Sequence, residues 1–486
     1  MPKVTIIGAG LAGSLLAIYL GRRGFEVDVF EARGDMRREP VAAGRSINLA
    51  LSDRGIAALR EVGMDNYILA EAVPMTGRMI HAVSGETKLL PYSGREGEYI
   101  NSVSRAGLNI ALISEAEKYE SVKFYFGRRC ENFDITSGEV EFKGGRKYRS
   151  NTVIATDGAG SAVRQAMEQQ LSNFGSSSVF LEHGYKELHI PAGHSAAASP
   201  EFNASAVYPV TTGRGSDLAL NALHIWPRHK FMMIALPNLD GSYTCTLFLA
   251  DKTDLSSDTS EPTFETLSNW PTLKKFFEAE FPDALPLMPD LEFDFFNNPT
   301  GQLGTLKCWP WNVDGRVLLL GDSAHAMVPF YGQGMNCAFE DVRVFAALID
   351  RHIGERSVSP EGSVDWQDIY DEYGAHRKKN TDAIAEMAEE NFYEMRDATA
   401  DPVFQRKRRL ETLLEQTFPD YFSKYSMVTF REDLPYSVAM TKGNAQDRLL
   451  MMLAGAHLDI SKLDLEVVMS SVRDIDRTPP ASQITT

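Results

Sequence analysis

A chain of 486 residues is more than one ordinary core serves, so two or three regions sharing a large buried interior are expected. Its 43% hydrophobic content suits a globular protein, while a formal charge of -17 and a pI near 5.1 argue against nucleic acid or anionic membrane as partners, because both are met with a surplus of Lys and Arg. Cys130, Cys245, Cys308 and Cys337 form no C-x-x-C pair and join no His cluster at metal-ligand spacing, which predicts reduced thiols, a cytoplasmic protein and no metal.

In chain order, residues 3 to 31 read strand, glycine turn, helix, strand, the opening unit of a doubly wound nucleotide-binding fold. The turn Gly8-Ala9-Gly10-Leu11-Ala12-Gly13 lets backbone N–H groups reach a pyrophosphate at a helix N-terminus, and Glu31, ending the next strand, offers a carboxylate to ribose hydroxyls. Three glycines and a missing basic n-region separate Val4 to Leu20 from a signal peptide. No run of about 18 apolar residues marks a membrane span, so a soluble chain is expected. Tyr148 to Thr156 is a strand candidate ending in Asp157-Gly158, and Arg316 to Leu320 another ending in Gly321-Asp322, so the nucleotide domain is discontinuous.

Between these pieces, Pro191 to Leu220 has little periodicity and reads as a long surface loop. Leu223 to Trp226, Phe231 to Leu236 and Tyr243 to Leu249 are β-rich, and a Pro-Asn-Leu-Asp-Gly-Ser turn before the last predicts an antiparallel hairpin. Alternation puts Ile234 and Leu236 on one sheet face. After Arg316 to Leu320, the Gly321-Asp322-Ser323-Ala324-His325 motif is followed by Pro329 and the turn Gly332-Gln333-Gly334-Met335-Asn336. Here an Asp can hold a ribityl hydroxyl and glycine-rich backbone can lie against an isoalloxazine ring. His325 reads as a structural hydrogen-bonder. From about Trp366 helices dominate, and Ile384, Met387, Ala388, Asn391 and Met395 fall on one face, where the Asn391 amide needs partners. Arg477 to Thr486 reads as a frayed tail.

The three nucleotide motifs together resemble the aromatic hydroxylase group of flavoproteins. Longer runs narrow this: Gly44-Arg45-Ser46-Ile47-Asn48-Leu49-Ala50-Leu51-Ser52, His183-Gly184-Tyr185-Lys186-Glu187-Leu188, Asn221-Ala222-Leu223-His224-Ile225-Trp226-Pro227 and Tyr425-Ser426-Met427-Val428-Thr429-Phe430 resemble the kynurenine 3-monooxygenase family, from Val4 to about Phe430. The resemblance implies noncovalent FAD, NADPH as co-substrate, and hydroxylation of L-kynurenine by molecular oxygen through a flavin hydroperoxide. It implies carboxylate binding by Arg78 and Tyr92, with Asn391 as a third polar contact. Leu223, Ile234, Leu236, Phe248, Pro329, Phe330, Met395 and Tyr425 form the implied aromatic pocket. FAD contacts carry over to Gly8, Gly10, Leu11, Ala12, Gly13, Glu31, Ala32, Arg45, Arg105, Asn109, Asp157, Gly158, Gly321, Asp322, Gly332, Gln333, Gly334, Met335 and Asn336. No residue is implied as a catalytic acid or base.

The predicted architecture is α/β. A Rossmann-like FAD-binding domain spans 1–70, 100–178 and 301–362, a β-sheet substrate domain 71–99 and 179–300, and a C-terminal helical region 363–486. Two departures stand out: Tyr331 occupies a variable place in Pro-Phe-x-Gly-Gln-Gly, and Pro191 to Leu220 is longer than usual. The membrane-anchoring C-terminus of eukaryotic members is missing, so the resemblance is to the soluble bacterial form or a truncated one. Another aromatic acid as substrate, or a flavin reductase, remains open at this level, whereas the halogenase W-x-W-x-I-P run is absent.

Overall fold

The computed structural model describes residues 2–38, 48–193, 218–252, 261–355, 364–398 and 401–477; most of the Pro191 to Leu220 loop, Arg45 and nearly all of the C-terminal tail lie outside them. The described chain divides into two compact units, one of residues 1–72, 102–187 and 298–389, the other of 73–101, 188–297 and 390–486.

The first unit is built on a sheet in which Lys3–Ile7 lies between Glu26–Phe30 and Val153–Ala155, all parallel. Val122–Tyr125 extends it on one side and Val317–Leu319 on the other, with a short antiparallel edge at Asn312–Val313. Val153–Ala155 and Val317–Leu319 are wholly buried apolar runs, as strands covered on both faces are, whereas Glu26–Phe30 and Val122–Tyr125 toward the other edge alternate apolar with charged residues. The expected single strand from Tyr148 to Thr156 is two: Arg146–Arg149 pairs with Glu139–Phe142 in a separate small sheet, and only Val153–Ala155 joins the parallel one. Ser150 and Asn151 make the break, where the Ser150 hydroxyl donates to the Thr152 carbonyl at 2.7 Å. Helix Leu11–Arg22 is apolar nearly all round, packing against both Arg105–Ala116 and Gly334–Glu355.

A buried charge cage ties the helices of this unit together. Arg377 donates through Nε to Asp341 and through Nη1 to Glu340, both at 2.7 Å; Arg54 reaches the other Glu340 oxygen at 2.8 Å; and His325 Nε2 sits 2.6 Å from Asp341. Burial would raise the Asp341 carboxyl, but His325 and Arg377 outweigh it and hold Asp341 below the usual carboxylate range. His325, Cys337 and Asp341 stand close enough to share a cation, yet Asp341 already neutralises Arg377 and burial pushes the Cys337 thiol well up, so the group works as an ion-pair lock.

In the second unit, strands run in the order Tyr243–Ala250, Met232–Pro237, Ala222–Pro227, Gly77–His81, Thr87–Pro91, antiparallel except for the parallel pair Ala222–Pro227 with Gly77–His81. The predicted hairpin is present, with Gly241 taking the left-handed position (φ +82°) of its turn. Side-chain alternation gives the sheet two distinct faces. Trp226, Met233, Ala235, Tyr243, Cys245 and Leu247 pack under helices Trp270–Glu280 and Leu291–Asn297. On that covered face His81 Nδ1 is 2.6 Å from Asp283, His81 Nε2 is 2.8 Å from His224 Nδ1, and His224 Nε2 is 2.8 Å from the Ala219 carbonyl. The C-terminal helices Pro402–Thr417, Tyr436–Ala456 and Leu465–Arg477 bury their own core of Leu410, Leu414, Leu450 and Val472. All four cysteines are free.

Two tests follow from these buried groups. Arg377→Met leaves Asp341 and Glu340 short of charge in the interior and should cost about 3–5 kcal/mol of stability, read from denaturant unfolding; a loss under 1 kcal/mol would remove the cage as a lock. His224 is pushed from its ordinary value near 6.5 down to about 4 by burial. The unfolded chain therefore binds a proton that the folded chain refuses, and stability present above about pH 6.5 is lost as pH falls toward 4. The unfolding midpoint should fall less over that window in His224→Gln than in the parent; parallel curves would mean that other groups set the slope.

Candidate functional site

The glycine turn is shaped by how closely it approaches its neighbours. Gly8 has φ +102°, and a Cβ there would meet the Thr156 carbonyl at 2.5 Å; at Gly13 a Cβ would meet the Gly8 carbonyl at 2.0 Å. Gly10 is the opposite case, with open space where a side chain would stand. It caps helix Leu11–Arg22 with no side chain of its own, so the first N–H groups of that helix, from Leu11, Ala12 and Gly13, are left for a ligand.

The Ala9 peptide is held from both sides. Its N–H donates to Glu31 Oε2 at 2.8 Å, and its carbonyl accepts from Asn109 Nδ2 and from the Ser14 hydroxyl, each at 3.1 Å. Glu31 Oε1 takes the N–H and Nε of Arg33. Burial would raise Glu31, but the Arg33 bonds outweigh it and keep the carboxylate ionised. The Glu31 carboxylate thus clamps the turn itself and still has lone pairs for a hydroxyl. Beside it a small cleft is lined by Ala9, Glu31, Arg33, Met36, Asn109 and Ile113, with Ala32 half-buried next to Glu31.

Asp157 caps the helix that follows it, accepting from Ala162 N at 2.9 Å through Oδ2, while Oδ1 is buried with no partner. Burial raises the Asp157 carboxyl, so an added hydrogen-bond donor would be welcome there. Gly158 follows it with φ +82° and open space about it. Asp322 is exposed at the start of Asp322–His325, after Gly321 has turned the chain at φ +66°. Gly332 (φ +66°) turns the chain against Ala50, Gly334 has nothing within 4 Å, Gln333 is buried and Met335 half-buried.

Asn336 was expected at the cofactor, but its side chain is committed to protein. Oδ1 accepts from Ser52 N at 2.9 Å, and Nδ2 donates to the Ala50 and Gly332 carbonyls, both at 2.8 Å. It shapes the turn whose backbone remains available. Arg105 is exposed at the first position of Arg105–Ala116, and Arg45 lies outside the described residues. Thr156, the last residue of the strand candidate, adds a hydroxyl that bridges the Ile7 and Gly8 carbonyls at 3.1 and 2.8 Å, a role that its place in the sequence does not signal. Glu187, in the run His183 to Leu188, is half-buried and pushed up to about 7 by burial despite Arg105. Open space at Gly10 and Gly334, an orphaned Asp157 oxygen and an exposed Asp322 together fit a dinucleotide with a polyol-linked flat ring.

The second unit carries the other predicted residues. Arg78 pairs with Leu223, Ile225 with Ile234, and Met232 with Phe248, so Arg78, Leu223, Ile234, Leu236 and Phe248 all point away from the helix-covered face. Tyr92 joins them, since its N–H donates to Thr76 O at 3.2 Å and continues the same parity. Arg78 is the lone charge in this set. Its guanidinium carbon lies 4.9 Å from the Tyr425 ring centre and 5.7 Å from that of Tyr92, and the two rings stack 5.2 Å apart at 9°. Arg78 Nε and Tyr92 Oη are buried without hydrogen-bond partners, a costly state that a bound acceptor would relieve. Burial pushes both phenols up, Tyr92 well above its ordinary value. Asn391 and Met395 sit where helix Trp366–Tyr393 widens into a π-turn, Glu394–Ala398, that packs on strand Ala222–Pro227; Asn391 Nδ2 is 3.3 Å from the Met395 sulfur. Pro329 and Phe330 belong to the first unit, Pro329 exposed and Phe330 buried in the short turn Pro329–Tyr331.

Comparison with known proteins identifies the family. Residues 1–215 and 308–379 match the FAD binding domain family, more than half of the chain. The chain is 42% identical over 476 residues to kynurenine 3-monooxygenase of Myxococcus xanthus, covering 97% of this chain and 94% of that one. It is 43% identical over 468 residues to the Dictyostelium discoideum enzyme of the same name, covering 95% of each. Among solved structures, Klebsiella pneumoniae HpxO complexed with FAD and uric acid superposes with a TM-score of 0.60 at 19% identity, over 98% of this chain and 97% of that one. The tetrameric form of 2-methyl-3-hydroxypyridine-5-carboxylic acid oxygenase gives 0.59 at 18%, over 85% and 97%. These two likenesses are of fold alone. Identity of this extent along nearly the whole chain places it in the kynurenine 3-monooxygenase family of FAD-dependent monooxygenases.

Proposed function

We propose that this chain hydroxylates L-kynurenine at C3 of its aromatic ring, consuming NADPH, a proton and molecular oxygen and releasing 3-hydroxykynurenine, NADP and water. The observation that carries the reading, within this family, is the half-buried Arg78 beside the buried Tyr92, with Nε and Oη both buried and unpartnered on the sheet face that carries Leu223, Ile234, Leu236 and Phe248. An amino-acid carboxylate matches those donors, and an aromatic ring matches Leu223, Ile234, Leu236, Phe248, Met395 and Tyr425 beside them.

FAD would be held noncovalently by the Gly8–Gly13 turn, Glu31, Asp157, Asp322 and the backbone of Gly332 to Met335; reduced by NADPH, it supplies the activation of oxygen. The chain's own task is narrower. Arg78 and Tyr92 grip the carboxylate, and the apolar face excludes water from the ring. An aniline nitrogen already directs electron density to its ortho carbon, so no side chain need act as a strong base. Among the described residues no helix is long and apolar enough to cross a membrane. Four free cysteines, three of them buried, support a reducing, cytoplasmic location.

Incubating the yellow protein with NADPH and a panel of aromatic amino acids should give a product one oxygen heavier from kynurenine alone. Turnover of a different aromatic acid in preference would displace the substrate assignment. Two variants probe the cofactor: Gly13→Ala, whose methyl group collides with the Gly8 carbonyl, should emerge without flavin, and Glu31→Gln should bind FAD roughly 10-fold or more weakly. Flavin-to-protein ratios after dialysis equal to the parent's in both would remove this turn from the site. Arg78→Met should keep FAD but lose about 1.5–3 kcal/mol of kynurenine affinity, roughly 10- to 150-fold, with more hydrogen peroxide per NADPH consumed. Parental affinity and coupling in that folded, flavin-loaded variant would make Arg78 a bystander.

A further inference from the structure

We propose that Glu415 is a positioning residue for substrate recognition: one buried carboxylate that sets the spacing of Tyr92 and Tyr425. The proposal rests on the reading of Arg78 and Tyr92 as the carboxylate grip.

Glu415 lies in the last turn of helix Pro402–Thr417 with its side chain 2% exposed. A carboxylate so buried is sustained only by a full set of donors. Oε2 accepts from Gly94 N at 2.8 Å; Oε1 accepts from Ser423 N at 3.0 Å and from the Ser426 hydroxyl at 2.5 Å. Gly94 stands two residues beyond Tyr92. Ser423 and Ser426 bracket Tyr425, and Ser423 caps its helix Lys424–Thr429 by accepting from Ser426 N. Both aromatic residues that flank the Arg78 guanidinium therefore hang from backbone fixed to the same two oxygen atoms.

A separate observation points the same way. A Cβ at Gly94 would meet the Thr412 carbonyl at 2.5 Å and the Glu415 Cβ at 3.1 Å, so the chain leaving Tyr92 is pressed directly onto the helix that carries Glu415. Arg95 secures it there, its guanidinium donating to the Tyr421 carbonyl, lying 3.9 Å from the Phe422 ring centre and 3.7 Å from Glu415 Oε1. A shift of the Gly94 link moves Tyr92 against Tyr425 and alters the gap in which Arg78 sits.

Glu415→Gln separates the two links. Its single oxygen can serve Ser423 and Ser426, but its NH₂ then faces the Gly94 N–H, donor against donor, so the Tyr92 side is released while the Tyr425 side stays. Ser426→Ala does the reverse and removes one bond beside Tyr425. On flavin-loaded protein, kynurenine affinity is read by absorbance titration, and amide hydrogen exchange is followed in segments 91–96, 422–428 and 3–7. Glu415→Gln should weaken kynurenine about 10-fold and speed exchange in 91–96; Ser426→Ala should weaken it about 3-fold and speed exchange in 422–428. Flavin content and exchange in 3–7 should not change. Affinity within twofold of the parent in Glu415→Gln, with Arg78→Met impaired, overturns this proposal alone; parental affinity in Arg78→Met overturns the reading beneath it. Exchange rising equally in all three segments reduces Glu415 to a general stabiliser and also overturns it. If Glu415→Gln does not fold, Ser426→Ala decides, parental affinity there sinking the proposal.

Discussion

The first unit depends on the absence of side chains where the turn after Lys3–Ile7 meets the end of Val153–Ala155. Gly8 lies against Thr156 and Gly13 against Gly8, at separations that no Cβ allows. Helix Leu11–Arg22 starts from this contact, and the third stretch joins through Leu320, whose N–H donates to the Ala155 carbonyl at 3.0 Å before Gly321 turns the chain at φ +66°. Three stretches far apart in sequence are thereby joined through backbone, and the N–H groups between them stay clear. Glu31 and Asn109 then hold Ala9 by its N–H and its carbonyl, fixing the backbone on both sides of that residue. The arrangement is ready before a ligand arrives, which spares binding the cost of ordering it.

Local rules made much of this legible. The glycine spacing, the acidic strand end and the two later strand-plus-turn motifs announced a discontinuous nucleotide fold, and alternation put Ile234 and Leu236 on one face as found. An amide on the apolar stripe marked Asn391, though not the π-turn after it, because helix width leaves no signature in side-chain period. Pairings across long separations stayed hidden: His81 with Asp283, Gly94 with Glu415, Arg54 with Glu340. Each joins residues that carry no sign of their partner when read alone. Asn336 shows the converse, a motif residue whose place was legible but whose side chain serves Ser52 and Ala50.

The two faces of the second unit's sheet divide labour. On the covered face His81, His224, Trp226 and Asp283 satisfy one another beneath helices, leaving that side fixed. The other face keeps donors without partners at Arg78 and Tyr92. Unpaired buried donors cost stability, typically about 1–3 kcal/mol each, and a fold tolerates them where a ligand repays the debt. Both faces share the same strands, so Arg78 and His81, three residues apart on Gly77–His81, put the rigid support directly behind the reactive surface.

The proton inventory of that surface also limits the chemistry it can perform. Arg78 offers only donors, and burial pushes Tyr92 and Tyr425 upward, so both phenols remain protonated across neutral pH. Tyr92 Oη is thus a donor toward a carboxylate and a poor base toward a ring. A substrate that needed its ring deprotonated before oxygen transfer would find no acceptor among Arg78, Tyr92 and the apolar residues beside them. One whose amino group activates the ring unaided needs only to be gripped at its far end and kept dry. The site suits an aminophenyl amino acid better than a phenolic acid, and it reaches that preference through the charge and burial of three side chains.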